Sequence, residues 1–166
     1  LRIPGAQLTW SQLARRVERT AAALKMVGLQ PGARVAALAD NSVHYVALAW
    51  AAMWTGTTLV PLNARLTDAQ LSWQLAHCGA KLLVVDQSAA NRSLRLGEVR
   101  FIQIEDLTVS VAAPAVEFSP DAAAVMLYTS GTTQEPNLVR LSWRNFGASA
   151  LASALNLELH ADDDWL

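Results

Sequence analysis

Val125-Met126-Leu127-Tyr128-Thr129-Ser130-Gly131-Thr132-Thr133 decides the reading of this chain. The apolar run from Ala122 to Tyr128 stops abruptly at small hydroxylated residues and a glycine. A run that is apolar on both faces predicts a buried strand. The polar residues after it predict a tight loop. The hydroxyls of Thr129, Ser130, Thr132 and Thr133 can donate hydrogen bonds to an anion. Gly131 lets backbone N–H groups approach the same anion with no side chain between. That combination suits a polyphosphate. The plainer alternative is a Ser/Thr/Gly turn that binds nothing. A Walker A loop is excluded, because no Gly-Lys-Ser/Thr ends the segment.

Outward from this stretch, composition sets the class. The 166 residues are 52% hydrophobic with a net charge of -1, which predicts one compact, soluble domain. So balanced a charge gives no electrostatic case for nucleic acid or an anionic membrane surface. The lone Cys78 rules out an internal disulfide framework and fits a reducing, cytoplasmic setting. Leu1 to Gly5 is too short, and broken by Pro4, to read as a secretory segment. The apolar stretch Val43 to Leu62 is interrupted by His44, Gly56 and Pro61, so it predicts a helix and then a strand, with no membrane span.

The first half alternates strand and helix. Thr9 and Gln12 have capping-box spacing before a helix carrying Leu13, Val17, Ala21, Leu24 and Val27 at helical intervals. Arg15, Arg16, Glu18 and Arg19 fall on the other side and read as a solvated face. Gly28 ends that helix, and Pro31-Gly32 makes the turn. Arg34 to Ala39 predicts a strand. Asn41 or Ser42 caps a helix from Val43 to Thr55 that is apolar nearly all round and so deeply buried. Trp50 and Trp54 lie four apart on it and read as core packing, not as a base-stacking platform. Gly56 stops the helix, and Thr57 to Val60 predicts the next strand. Thr67 and Gln70 form a second capping box before Leu71, Leu75 and Cys78, and Lys81 to Val85 predicts a third strand. This alternation predicts an α/β, three-layer fold with a mostly parallel sheet flanked by helices.

Further along, Phe101 to Ile104 predicts a strand, and Thr108 to Pro120 a linker to the central strand. Leu138 to Leu141 predicts a returning strand, and Ser142 or Asn145 the cap of a helix reaching about Leu155. We divide the chain into a first α/β part, residues 1–118, and a phosphate-loop hairpin with its helix, residues 119–166. His44, His77 and His160 lack metal-ligand spacing, and Asp162-Asp163-Asp164 reads as a solvated turn, so no metal ligands are assigned. No general base is assigned either. Cys78 reads as a core thiol.

Three segments together carry a resemblance. Tyr128-Thr129-Ser130-Gly131-Thr132-Thr133 with Pro136 resembles the phosphate loop of the adenylate-forming enzymes: acyl-CoA synthetases, luciferases and peptide-synthetase adenylation domains. Leu29 to Ala36 is similar to that family's "G-x-x-x-G-D-R-V-A" strand entry. Ala51 to Asn63 is similar to its "A-x-x-x-x-G-A-x-x-V-P-L-N" segment, in the family's order and spacing. Ser153-Ala154-Leu155-Asn156-Leu157-Glu158-Leu159 through Trp165-Leu166 resembles most the CoA ligases of menaquinone biosynthesis, a branch of that family.

The resemblance implies an ATP-dependent acid–thiol ligase. A carboxylate attacks the α-phosphate of ATP, and coenzyme A then takes the acyl group. It implies that Thr129, Ser130, Gly131, Thr132 and Thr133 hold the β- and γ-phosphates, with Mg²⁺ bridging phosphate oxygens. The partners implied are ATP, CoA and a small carboxylic acid.

Three residues depart from the family loop. Gln134 stands for a glycine, Asn137 for a lysine and Leu138 for the last glycine. A glutamine at positive φ costs about 1–2 kcal/mol. A lost charge-assisted bond to phosphate costs about 1.5–3 kcal/mol. Arg140 or Arg144 is the expected substitute cation, and a degenerate, non-catalytic binding module is the alternative. The family's adenine, ribose, hinge and C-terminal lysine motifs do not occur in these residues. The expectation is that they do not complete the reaction alone, and that uncovered sheet edges lead to self-association.

Overall fold

The computed structural model describes residues 2–3, 6–93, 95–117, 119–129 and 136–158. A two-residue hairpin, β1 (Arg2–Ile3) with β2 (Ala6–Gln7), precedes helix α1 (Trp10–Met26). Then follow β3 (Arg34–Leu38), α2 (Val43–Thr55), β4 (Thr58–Pro61), α3 (Asp68–Cys78), β5 (Leu82–Val85), the short α4 (Ala90–Ser93), β6 (Phe101–Gln103), β7 (Ala123–Thr129), β8 (Asn137–Ser142) and α5 (Trp143–Leu157). Six strands form one sheet in the order β6-β5-β3-β4-β7-β8. Every neighbouring pair is parallel except the β7–β8 hairpin. The mostly parallel sheet is therefore as expected.

Two cores, one on each face, make the three layers. Successive strand residues point to opposite faces. Val35, Ala37, Leu59, Leu82 and Val84 pack with α1 and α2, whereas Ala36, Leu38, Val60, Leu83 and Val85 pack with Leu71, Leu75 and Cys78 of α3. The helix ends form as their residues dictate. Thr9–Gln12, Thr67–Gln70 and Ser142–Asn145 all make reciprocal capping boxes, and Ser42 caps α2. Gly56 ends α2 at φ 68°, and a Cβ there would come within 3.2 Å of Val116, so both backbone shape and space require glycine.

Three expectations need correction. β7 is penultimate in the sheet, not central, and only Ala124 of it is buried. The run is apolar on both faces, yet α5 covers it loosely: none of that helix's residues is buried, and Leu151 and Leu155 are 62% and 72% exposed. Helix α2 is buried along one stripe, not all round. Trp54 packs against the core and donates from Nε1 to the Ala113 carbonyl at 2.8 Å, while Trp50 is 47% exposed. No helix among the described residues is long and apolar enough to cross a membrane.

Candidate functional site

The parallel strands β4 and β7 end side by side, and their carboxyl ends are where open α/β sheets bind ligands. A cleft of about 450 Å³ opens there, walled by Pro61, Leu62, Leu66, Leu127 and Pro136, with Asn63, Gln74, Tyr128 and Thr129 as its polar lining. Of the expected phosphate-binding residues, Thr129 closes β7 at this cleft, exposed and opposite Asn137 of β8. Ser130, Gly131, Thr132 and Thr133 lie outside the described residues, as does Gln134. A larger cleft, about 570 Å³, opens at the other ends of the strands around Pro31, Gly56 and Arg140. It lies at the amino ends of β3, β4 and β7, the wrong edge for a nucleotide.

Two anchors fix the walls of the β7-tip cleft. The first holds the segment between β4 and α3. Asn63 Oδ1 accepts the Arg65 backbone N–H at 2.9 Å. Arg92 donates to the Ala64 and Leu66 carbonyls at 2.7 Å each, and through Nε to Asp68 at 2.9 Å. Arg95 donates to the other Asp68 oxygen at 2.7 Å. The bonds from Arg95, then Arg92, hold the Asp68 carboxyl below the usual carboxylate range.

The second anchor ties the tip of β7 to the last turn of α3. Tyr128 donates its hydroxyl to the Gln74 carbonyl at 2.8 Å. That uses its only proton, so His77 Nδ1, at 2.9 Å, is the donor of the second bond. Trp73 stacks on His77 with centroids 4.7 Å apart and planes 8° from parallel. Burial, with Cys78 adding to it, pushes the Tyr128 phenol above the ordinary tyrosine range, so at neutral pH it is a neutral donor. Burial likewise pushes the Cys78 thiol up, and Cys78 is fully enclosed, as expected of a core thiol and not of a nucleophile. Sequence reasoning passed over Trp73 and Gln74 and weighed His77 only as a metal ligand. The signal that could have found them is the i, i+4 aromatic spacing of Trp73 and His77 on the helix after the "V-P-L-N" segment.

The expected substitute cations are elsewhere. Arg144 pairs with the Asp121 carboxylate through Nε at 2.7 Å and Nη2 at 2.9 Å, and Arg140 donates to the Asp121 carbonyl. Asp121 precedes β7, so both guanidiniums are held at the base of that strand, roughly the length of β8 away from its tip. Asn137, which stands where the family has lysine, begins β8 at the tip itself. Among the described residues no group of three or more His, Cys, Asp or Glu side chains could hold a metal ion. The lining is thus a set of neutral donors and acceptors with no base.

A family profile described as AMP-binding enzyme matches residues 2–166. The chain belongs to the AMP-binding enzyme family. It is 36% identical over 163 residues to a 2-succinylbenzoate–CoA ligase of Bacillus licheniformis, a match covering 96% of this chain and 34% of the relative. It is 33% identical to the corresponding ligase of Bacillus cereus (strain Q1), over 100% of this chain and 34% of that protein. The chain thus spans about a third of the length of these relatives. Among solved structures, the o-succinylbenzoate coenzyme A synthetase of Bacillus subtilis in complex with ATP and magnesium ion superposes with a TM-score of 0.84 at 28% identity, covering 95% of this chain and 43% of that one. The same enzyme with the acyl-adenylate OSB-AMP also gives 0.84, at 29% identity, covering 96% and 42%. The N-terminal part of the adenylate-forming fold is thereby established.

Proposed function

We propose that this chain is the phosphate-holding part of an ATP-dependent acid–thiol ligase, an o-succinylbenzoate–CoA ligase of menaquinone biosynthesis working in the cytoplasm. The observation that carries the proposal is the open cleft at the tip of β7, lined by Thr129, the residue that opens the hydroxyl-rich sequence Thr129 to Thr133. Thr129, Ser130, Gly131, Thr132 and Thr133 hold the β- and γ-phosphates, so that the carboxylate meets less repulsion as it attacks the α-phosphate. That displaces pyrophosphate and leaves an acyl-adenylate, from which the CoA thiol takes the acyl group. Magnesium fits as a counter-ion carried on the phosphates, because the described residues supply neutral donors and no metal cluster. We assign residues 1–118 to the scaffold and 119–166 to the loop-bearing unit, in a protein with a small carboxylic acid, ATP and CoA as partners, no nucleic acid, and self-association through the exposed face of α5.

ATP–pyrophosphate exchange by the protein translated from the whole reading frame tests this. Exchange that depends on o-succinylbenzoate and falls at least about tenfold in Thr132→Ala is expected. Exchange with other aryl or fatty acids alone points to a sibling ligase.

One observation favours a second reading, a non-catalytic homologue kept as a binding module: Arg140 and Arg144 are both committed to Asp121. Gln134→Gly with Asn137→Lys separates the two. A gain of about tenfold to hundredfold in ATP affinity supports decay, and no gain supports a working loop.

A further inference from the structure

We infer that the arginine-walled cleft between α1 and the start of α2 is a second anion site, one that takes a small phosphate-bearing molecule. The cleft encloses about 550 Å³, and its lining includes Arg15, Arg16, Arg19, Thr20, His44 and Thr108. His44 follows β3 and Thr108 follows β6, so the cleft lies outside the carboxyl ends of those strands, the ligand-binding edge of the sheet. The inference does not rest on the phosphate-loop proposal.

The disposition of cations carries the argument. Among the described residues most other cations are committed: Arg92 and Arg95 to Asp68, Arg144 to Asp121, and Lys25, Arg34, Arg100 and Arg140 to backbone carbonyls. Arg15 and Arg19 have no side-chain partner among the described residues, yet they stand one helical turn apart on the same cleft. Like charges at that spacing destabilise a helix unless an anion compensates them. Glu18 adjoins Arg19 in sequence, and Glu105 and Asp106 adjoin Leu107 and Thr108 of the cleft, but none forms an ion pair with these arginines. Arg65 and Lys81 also have no side-chain partner among the described residues, but neither lines this cleft.

Arg16 is fixed in place. Its Nη1 lies 2.9 Å from His44 Nε2, and a guanidinium can only donate, so the ring nitrogen accepts. The remaining Arg16 donors are left for a ligand. His44 lies in the first turn of α2, whose dipole adds positive potential.

Thr20 supplies an independent observation. It is only 5% exposed, and its hydroxyl has no hydrogen-bond partner among the described residues. A helical threonine ordinarily bonds back one turn, as Thr55 does to the Ala51 carbonyl at 2.8 Å. No fully enclosed side-chain polar atom among the described residues is left unsatisfied, so the Thr20 oxygen opens onto the cleft that it lines. Two free guanidinium forks, a third held in place and a waiting hydroxyl match phosphate oxygens.

Titration calorimetry of the chain with sodium pyrophosphate tests this. The variants are Arg15→Ala/Arg19→Ala, Thr20→Val and, to remove the loop's contribution, Thr132→Ala. We expect saturable binding in Thr132→Ala that weakens at least about tenfold when Arg15 and Arg19 are also replaced, and about threefold with Thr20→Val, with no fall in melting temperature when the arginines go. Pyrophosphate should also shift the ¹⁵N signals of the His44 ring. Binding that survives loss of both arginines overturns the inference. So does binding abolished by Thr132→Ala alone, or flotation with vesicles containing phosphatidic acid in the absence of any pyrophosphate binding.

Discussion

Replacing Tyr128 with phenylalanine removes one oxygen and little else. That oxygen donates to the Gln74 carbonyl at 2.8 Å and accepts from His77 Nδ1 at 2.9 Å. Each neutral bond contributes about 0.5–1.5 kcal/mol net. His77 is exposed, so its freed N–H finds water, and no penalty for an orphaned donor is added there. The Gln74 carbonyl keeps its place in α3. The expected loss is about 1–2 kcal/mol, or roughly 3–6 °C in melting temperature for a domain of this size.

A double-mutant cycle isolates the contact. Urea unfolding of Tyr128→Phe, His77→Ala and the pair together should show a coupling of at least about 0.5 kcal/mol, because the two side chains touch. Additivity within about 0.3 kcal/mol would refute the anchor, as would a Tyr128→Phe protein as stable as its parent. The result bears on function because Tyr128 immediately precedes Thr129. On the proposed function, a tip released from α3 should raise KM for ATP in the whole protein more than it lowers kcat.

Leu71 is fully buried under the sheet, so Leu71→Ala should cost about 2–5 kcal/mol in chemical denaturation. Asp68 and Asp86 both have carboxyls held below their ordinary range. At Asp86 burial opposes this, but bonds from the Ser88 hydroxyl and the Asp40 and Ala89 N–H groups outweigh it. A depressed folded pKa means stability that is present above about pH 4, the unfolded value, and lost as pH falls through the folded one. The urea midpoint should therefore drop in that acid window, and Asp68→Asn should flatten the drop. Glu158 ends α5 at φ 51°, so Glu158→Gly should stabilise the chain by about 1 kcal/mol, read as a higher melting temperature.

The scaffold was legible because its signals are local. Capping boxes at Thr9 and Thr67, the glycine at 56, and apolar runs of strand length each act within a few residues. What escaped depended on tertiary partners. Nothing in the apolar run of β7 says that its neighbour β8 is an edge strand, or that α5 leaves it half-covered. Arg15 and Arg19 of α1 are exposed, as a solvated face predicts, but periodicity cannot reveal that His44, far along the chain, accepts from Arg16. Arg140 and Arg144 are close to the loop in sequence, but β8 runs antiparallel to β7 and carries them to its base, where Asp121 holds them.

That last placement has an electrostatic consequence for any nucleotide at the tip of β7. The described lining there is uncharged: Asn63, Gln74, Tyr128 and Thr129 offer dipoles, and Asn137 occupies the lysine position. Dipoles orient a polyphosphate without neutralising it, so none of the described lining residues supplies the neutralising charge, and magnesium carried by the ligand would supply it. Compared with the Asn137→Lys variant, the native protein should therefore show a steeper dependence of ATP affinity on magnesium and a shallower dependence on monovalent salt. Salt screens a side-chain cation facing phosphate far more than it screens a fixed hydroxyl. Equal magnesium and salt slopes in the two proteins would mean that a cation other than residue 137 already faces the phosphates.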